Sequence, residues 1–409
     1  MNIIQFAWLY RRLVIFGLSL TFFSSFGQTF LISLFVPGFL DSFGISNAYF
    51  GTIYSAATLG SAFTLAWIGG KIDQIPLKKY ALFVSSGLVL SALIIGLSQW
   101  VWMLLLGLFG IRLFGQGLST HTAQTAMARY FITMRGKALS LANLGFTLGE
   151  AVLPITITTL VTVLGWRAGW GGAAAFILLV LPALILVTTG KDPARYGEPG
   201  VSDSKTKQNN EPGQAWRRSR VIRDYRFYLF LPGIVISPFL LTGLFLYQTK
   251  LAEYKGWELE TLATAFVAFA IARSTFSLVS GILVDRFKAA RLFPFFLLPF
   301  LTGLTVLLLS THEITVFVYL FLAGTTEGFG ANVKTSLYAE LYGTANLGAI
   351  RSMMSMFMVT STAVSPILFG TLLDLGVSFG FIIYGSIALL IISIISAMFI
   401  YREASRTLS

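Results

Sequence analysis

The chain has no cysteine and only two histidines among its 409 residues. The absence of cysteine excludes a disulfide framework, a thiolate zinc site and a thiol nucleophile. Charged residues make up only 11% of the sequence, whereas about 25% is usual in a soluble domain. The 12 prolines are few enough for long helices to form. A chain with so little charge cannot cover itself with a surface that faces water.

Hydrophobic residues make up 56% of the sequence, and the mean hydropathy is +0.78. A helix that crosses the bilayer needs roughly 20 apolar residues, and a span must satisfy its own backbone polar groups. The pattern predicts an all-α membrane protein with twelve transmembrane helices in two pseudo-symmetric six-helix halves. The predicted spans are 13–40, 48–70, 80–98, 101–128, 138–165, 169–189, 227–249, 261–284, 291–310, 314–339, 347–373 and 377–401.

The formal net charge of +12 is distributed unevenly between the two sides of these spans. Most of the 29 Lys and Arg residues fall on the side that holds both termini and the long middle loop. Because cytoplasmic loops collect Lys and Arg, we predict a multi-pass protein of the cell inner (plasma) membrane with both termini in the cytoplasm. The surplus charge is therefore an orientation signal, and no nucleic-acid partner is expected.

A polar segment separates the two sets of six spans. It is rich in proline, glycine, asparagine and charge, a composition that cannot bury a core. We predict an N-terminal half over 1–189, a cytoplasmic linker over 190–226 and a C-terminal half over 227–409. The basic end of the linker, 217–220, either rests on anionic lipid headgroups or acts as a stop-transfer signal.

One short pattern occurs twice, at the same place in each half. Gly69 precedes Asp73 by four residues, Gly281 precedes Asp285 by four, and Arg286 and other basic residues follow. This pattern resembles the signature of the major facilitator superfamily, which implies the fold of two six-helix halves. The resemblance implies that each glycine permits a tight turn and that each aspartate faces the start of a helix in the opposite half. Span 11 would receive Asp73 and span 5 would receive Asp285, latching the outward-facing state; topogenic charge alone is the alternative.

Two further stretches resemble the monocarboxylate transporter branch of that superfamily. They are Tyr130-Phe131 with Arg135-Gly136 before span 5, and Ala272-Arg273-Ser274 in span 8. Two positions depart from the branch. Phe269 stands where the branch has a carboxylate, and Gln28 or Thr29 stands where it has a lysine. The resemblance therefore implies recognition of a carboxylate without the branch's usual proton relay.

Charged side chains inside the predicted spans are the strongest candidates for function. An arginine in the middle of a span costs about 2.5–3.5 kcal/mol on insertion scales, so Arg273 should face a cavity or a partner. Its guanidinium matches the two oxygens of a substrate carboxylate, or it forms a permanent ion pair with Glu327 in span 10. Both hold if substrate competes for Arg273 and the released Glu327 takes up a proton. A packing role for Glu327 is the alternative.

The N-terminal half offers a similar pair, Arg112 in span 4 and Glu150 in span 5. We interpret it as a structural pair, with Glu150 an alternative proton site. His121 is a third proton-coupling candidate, because imidazole titrates near neutral pH. Neutral polar side chains at mid-depth either complete a substrate site or join helices: Gln28, Tyr54, Gln116 and Asn143.

These features predict a secondary active transporter for a small organic anion, a monocarboxylate by preference, that works by alternating access with proton symport as an option. An exporter of amphipathic drug-like or lipid-like compounds and a membrane ligand sensor are the alternatives. No phosphate-cradling loop, catalytic triad or metal-ligand pattern is present in the sequence. We therefore expect no enzyme activity, cofactor or metal, and we expect the lipid bilayer, a small solute and protons as partners.

Overall fold

A computed structural model describes residues 2–190, 196–197, 218–343 and 346–407. Within these ranges the chain is almost entirely helical and contains no strand. The predicted class, an all-α membrane protein, is therefore confirmed. The helices are α1 Ile3–Leu9, α2 Arg11–Ser24, α3 Thr29–Ile32, α4 Val36–Phe43, α5 Asn47–Ile68, α6 Leu77–Gly96, α7 Val101–Gly110, α8 Thr120–Tyr130, α9 Arg135–Thr189, α10 Arg218–Ile222, α11 Tyr225–Leu246, α12 Gln248–Lys255, α13 Leu259–Phe287, α14 Ala289–Leu292, α15 Leu298–Leu309, α16 Ile314–Tyr342, α17 Leu347–Asp374 and α18 Phe379–Thr407.

The chain divides into two compact units, residues 1–206 and 207–409. Most of the predicted linker over 190–226 lies outside the described residues, which include Tyr196 and Gly197 and resume at Arg218. The first unit holds α1 to α9, and the second holds α10 to α18.

Several helices are long and apolar enough to cross a membrane. Among the described residues eight meet this test, and the count rises to nine if α1 and α2 are taken together as one bent span. One of the eight is α9, whose 55 residues exceed the length of a single span more than twofold. The number of twelve stays a prediction, because parts of the predicted spans 1 and 9 are short helices of 10–17 residues.

The first predicted span is not one continuous helix. Short 3₁₀ segments at Ser25–Gly27 and Ser33–Phe35 interrupt it, and Gln28 between them is extended, with φ −87° and ψ 150°. An extended residue frees backbone groups that a helix would satisfy, so such a break inside a membrane needs partners from neighbouring helices.

The two predicted spans 138–165 and 169–189 lie within α9. Gly165 separates them with φ +79° and ψ 166°, values that glycine adopts without strain. The next two side chains fix this corner: Trp166 Nε1 donates to Ser42 Oγ at 2.9 Å, and Arg167 Nη2 donates to the Ser98 carbonyl at 3.2 Å. The chain therefore reverses at Gly165 with almost no loop.

Small residues bring the main helix pairs into close contact, as is usual for helices packed in lipid. In the first unit α2 packs against α9, and Thr21 Oγ1 donates to the Ala142 carbonyl at 2.5 Å. In the second unit α13 packs against α16, α11 packs against α17 and α18, and α15 packs against α16. Half of the candidate residues lie on α9, α13 or α16.

Candidate functional site

The break in the first span lies against a widened stretch of the fourth span. Residues Ile111–Ser119 form a π-helix between α7 and α8, and such segments are rare and often mark functional positions. Gly27 and Gly115 meet at this crossing, where a Cβ on Gly115 would lie 2.9 Å from the Gly27 nitrogen. Two glycines are needed here because the two backbones touch.

Arg112 is the buried cation of this crossing, with only 4% of its surface exposed. Its Nη1 donates to the Gly27 carbonyl at 3.1 Å, and its guanidinium lies 5.0 Å from the centre of the Tyr54 ring. The Tyr54 hydroxyl shares a hydrogen bond of 2.7 Å with Thr29 Oγ1. Arg112 therefore satisfies a carbonyl released by the break, and the aromatic face offsets part of the cost of burying its charge.

The structure brings some of the other first-unit candidates to this crossing. Gln28 is half-buried at the break itself, and Gln116 is half-buried on the π-helix, with its backbone against Gly27. Glu150 is buried on α9, one residue after Gly149, whose Cβ would collide with Ser25. Asn143 is exposed two turns earlier on α9. The contacts of Arg112 are with Gly27 and Tyr54, so its pairing with Glu150 stays a prediction.

In the second unit α13 and α16 hold Arg273 and Glu327 at the same level. A Cβ on Gly328 would lie 2.9 Å from both the Arg273 carbonyl carbon and the Ser277 nitrogen, so the two backbones touch beside Glu327. Both Arg273 and Glu327 are half-buried. Ser237 of α11, which is fully buried, donates a hydrogen bond to Glu327 Oε1. The two residues thus lie on helices whose backbones touch, and their ion pair stays a prediction.

A polar group that sequence reasoning missed lies about one turn further along the same two helices. Asn332 Nδ2 donates to the Ser277 carbonyl at 2.7 Å and to Ser280 Oγ at 2.9 Å. Serines at i and i+3 on one apolar helix are a signal that could have indicated this contact. This contact joins α13 to α16 about one turn beyond Arg273 and fixes the register of the two helices.

The first copy of the repeated motif forms a 3₁₀ helix, Gly69–Asp73, that side chains from α8 hold in place. His121 Nε2 lies 3.1 Å from the Gly69 carbonyl. Arg129 Nη2 lies 2.5 Å from Asp73 Oδ1 and also donates to the Ile72 carbonyl at 3.3 Å. Arg129 was not predicted from the sequence as a partner of Asp73. The partner that the described contacts give Asp73 lies in its own half, and its contact with span 11 stays a prediction.

The second copy has a different local structure. Gly281, Asp285 and Arg286 all lie within α13, which continues to Phe287, and the last two are exposed. Glu340 of α16 then accepts from the backbone nitrogens of Ala289 and Ala290 at 2.7 and 3.0 Å. A carboxylate thus binds the first amides of α14. The two loops share a sequence pattern but are held by side chains of opposite charge.

The connection between α11 and α13 is also fixed by buried polar contacts. Lys255 Nζ donates to the Ser310 carbonyl at 2.9 Å and to the Leu307 carbonyl, and Trp257 Nε1 donates to the Thr311 carbonyl at 2.7 Å. Burial lowers the pKa of Lys255 below its ordinary value. The ammonium group therefore caps the last carbonyls of α15, where the helix dipole favours a cation.

Known proteins resemble this chain in sequence pattern and in fold. The model of the Major Facilitator Superfamily matches residues 18–262 and 239–408. No curated protein matches the chain significantly. A bacterial homologue of the human lysosomal transporter Spinster, in its inward-facing and unoccupied conformation, has a similar structure, with 16% identity, a TM-score of 0.72 and 97% of each chain covered. The occupied form gives 15% identity and a TM-score of 0.70 over 97% of each chain. The nucleoside transporter NupG gives 13% identity and a TM-score of 0.74 over 96% of this chain and all of the other.

Proposed function

Because the chain belongs to the Major Facilitator Superfamily, whose members are in general transporters and not enzymes, we propose that it is a secondary transporter for a small organic anion, a monocarboxylate by preference. A transporter of small molecules embedded in a membrane is what the family and the fold support directly. The anionic substrate and the alternating-access cycle with optional proton symport are our proposal. At 16% identity or less, the neighbours inform the fold and not the substrate.

The position of Arg273 carries the proposal. A guanidinium is charged at every physiological pH and presents two parallel donors that match a carboxylate. Placing it in a membrane-spanning helix is costly, so a function that uses the charge accounts for its presence. The contact between Gly328 and the Arg273 backbone places Arg273 against α16 beside Glu327. An arginine at this position can select an anion by geometry as well as by charge.

The surroundings of Arg273 favour an anion with an apolar body. Phe269 lies one turn before Arg273 and packs with Phe245 at 5.4 Å between ring centres, and Phe245 lies 5.2 Å from Phe266. Phe269 stands where a carboxylate is expected in the monocarboxylate branch. Aromatic packing one turn from Arg273 suits a short-chain carboxylate, and it also suits the amphipathic solutes of the alternative exporter.

Glu327 is the proposed site for a coupled proton. Its carboxylate receives the Ser237 hydrogen bond at the level of Arg273. In this proposal the substrate carboxylate occupies Arg273, and Glu327 carries the proton that accompanies it.

Uptake into proteoliposomes tests the anion assignment. The purified chain is offered labelled short-chain carboxylates, nucleosides, sugars and a cationic dye, with and without a pH gradient. We expect carboxylate uptake in the parent, loss of about tenfold or more in Arg273→Gln and a smaller loss in Arg273→Lys, which keeps charge but not the paired donors. Arg223→Gln, which removes an exposed arginine between α10 and α11, is the control. Parent-like carboxylate uptake by Arg273→Gln would remove the anchor assignment.

The same preparation tests the proton site. Glu327→Gln keeps the shape and the ability to accept from Ser237 but cannot exchange a proton. We expect its carboxylate exchange to persist while the stimulation by a pH gradient is lost. Full gradient stimulation in Glu327→Gln would exclude Glu327 from the proton path, and Glu150→Gln would then be measured in the same assay.

A further inference from the structure

A cavity opens at the N-terminal end of the first unit, and Arg112 is not among its walls. Its volume is about 370 Å³, and its walls are Trp8, Leu9, Tyr10, Arg11, Arg12, Tyr196 and Gly197. This volume lies at the lower end of the range for small-molecule ligand pockets. None of the residues named as its walls is acidic, so two guanidinium groups face the cavity with no carboxylate among its walls to neutralise them.

The first helix crosses the end of the first span instead of extending it. The chain bends by 97° between Ile3–Leu9 and Arg11–Gly27. Asn2 and Gln5 form a reciprocal capping pair at the start of α1, with hydrogen bonds of 2.8 and 3.1 Å. Because α2 belongs to a span, a helix at nearly a right angle to it runs along the membrane surface.

One face of α1 is anchored in the protein and the other is left apolar and open. Phe6 is fully buried, and its ring packs against Tyr10 at 4.9 Å and Phe131 at 5.2 Å. Ile4 and Trp8 are 76% and 72% exposed. Large apolar side chains on a surface helix enter the boundary between headgroups and acyl chains, where tryptophan is enriched. The open face of α1 is thus suited to lipid.

Both arginines of the cavity are held in place by aromatic rings. Arg12 Nη1 donates to the Tyr196 hydroxyl at 2.5 Å, and its guanidinium lies 4.5 Å from the centre of that ring. The Arg11 guanidinium lies 4.8 Å from the centre of the Trp8 ring. Tyr196 itself is packed close to Gly190, where a Cβ would lie 2.7 Å from its hydroxyl. Two arginines already held in place lose less conformational entropy on binding a ligand than two mobile surface arginines would.

We propose that this cavity binds the headgroup of an anionic phospholipid from the leaflet that surrounds α1. The phosphodiester oxygens accept hydrogen bonds from Arg11 and Arg12, which is the geometry that guanidinium favours. The acyl chains leave the cavity over Trp8 and Leu9, which are 72% and 63% exposed. A soluble phosphate would use the arginines but leaves this apolar exit without a role, so the lipid is the occupant that fits the whole cavity.

Lipid retention by the full-length purified protein tests the proposal. The protein is exchanged into mixed micelles of phosphatidylcholine with increasing labelled phosphatidylglycerol, and the bound label per chain is counted. Each parent chain should retain one phosphatidylglycerol. The variant Arg11→Gln/Arg12→Gln should bind this lipid about 30-fold more weakly, because each surface arginine contributes about fivefold to affinity. Lys78→Gln/Lys79→Gln removes two charges from the first turn of α6 and should retain the lipid like the parent.

Three outcomes would overturn the assignment. Equal retention by Arg11→Gln/Arg12→Gln would show that the arginines do not hold the lipid. An equal loss in Lys78→Gln/Lys79→Gln would show a general surface attraction and no site. Displacement of the lipid by glycerol 3-phosphate at equal concentration would show a site for a free phosphate. If the double arginine variant does not fold, Tyr196→Phe replaces it. That change frees Arg12 and should weaken retention about threefold, and unchanged retention there counts against the proposal.

Discussion

The contact between Gly328 and α13 makes a sharp prediction about the candidate anion site. In Gly328→Ala the new Cβ would lie 2.2 Å from the Arg273 carbonyl oxygen and 2.9 Å from the Ser277 nitrogen, whereas ordinary contacts begin at 3.4 Å. The two helices must therefore part by about 1 Å at this level, since both obstructing groups are backbone and cannot rotate away. The change moves Arg273 relative to Glu327 without altering either side chain.

The expected magnitude follows from two opposing effects. Overpacking of this kind costs about 1–3 kcal/mol, and replacing a helical glycine by alanine returns up to about 1 kcal/mol. We expect a net loss of about 1–2 kcal/mol and a lower unfolding midpoint. Carboxylate uptake should fall roughly tenfold, because a misplacement of about 1 Å at a recognition site reduces rates strongly.

The assay compares two alanine variants in the second unit. Gly385→Ala on α18 is the control, because a Cβ there would have no other heavy atom within 4 Å. Thermal unfolding in detergent and carboxylate uptake in proteoliposomes are measured for both. Gly385→Ala should match the parent or be slightly more stable. Parent-like stability and uptake in Gly328→Ala would refute the inference that this contact positions Arg273.

Two further predictions concern polar contacts that stabilise each unit. Arg112→Lys should lower the unfolding midpoint by the equivalent of about 1.5–3 kcal/mol, the range for a hydrogen bond to a charged group. The reason is that lysine lacks the planar fork that reaches the Gly27 carbonyl over Tyr54. An unchanged midpoint would contradict the role of Arg112 at the break. Lys255→Met should lower the free energy of unfolding by about 2 kcal/mol, because it leaves two carbonyls without a donor. Lys250→Met removes only an exposed ion pair with Glu253 and should cost less than about 1 kcal/mol. Equal midpoints in the two lysine variants would count against the capping of α15 by Lys255.

The fold class could be predicted from the sequence because hydropathy is a local property. Each apolar stretch of about 20 residues must become a helix in lipid, whatever its neighbours do. The break at Ser25–Gly27 was not predicted, whereas the predicted spans 138–165 and 169–189 do meet at the break at Gly165. A helix break within an apolar run depends on whether another helix satisfies the released backbone groups, and no local pattern reports that. The correspondence of the two Gly–Asp loops indicated the family for a different reason, since a repeat in register with the span count is improbable by chance.

The candidate residues divide in the same way. The sequence singled out Arg273, Glu327, Arg112 and Glu150 because they lie inside predicted spans, where charge is rare and costly. The sequence did not reveal that Arg129 binds Asp73 or that Glu340 binds the start of α14. These partners lie more than 50 residues apart in the chain, and either charge could equally have faced water. Their pairing follows from the positions of whole helices.

By itself the sequence determined that this chain lies in a membrane as a bundle of helices, which residues are too costly to bury without a purpose, and which family signature it carries. Tertiary structure decided that Gly27 and Gly115, and likewise Gly328 and Arg273, are in backbone contact, that Arg112 serves a carbonyl, and that Arg11 and Arg12 share a cavity with Tyr196. The physical reason is the range of the interactions. The cost of transferring a side chain into lipid is set residue by residue, whereas a contact depends on the packing of segments that are distant in the chain.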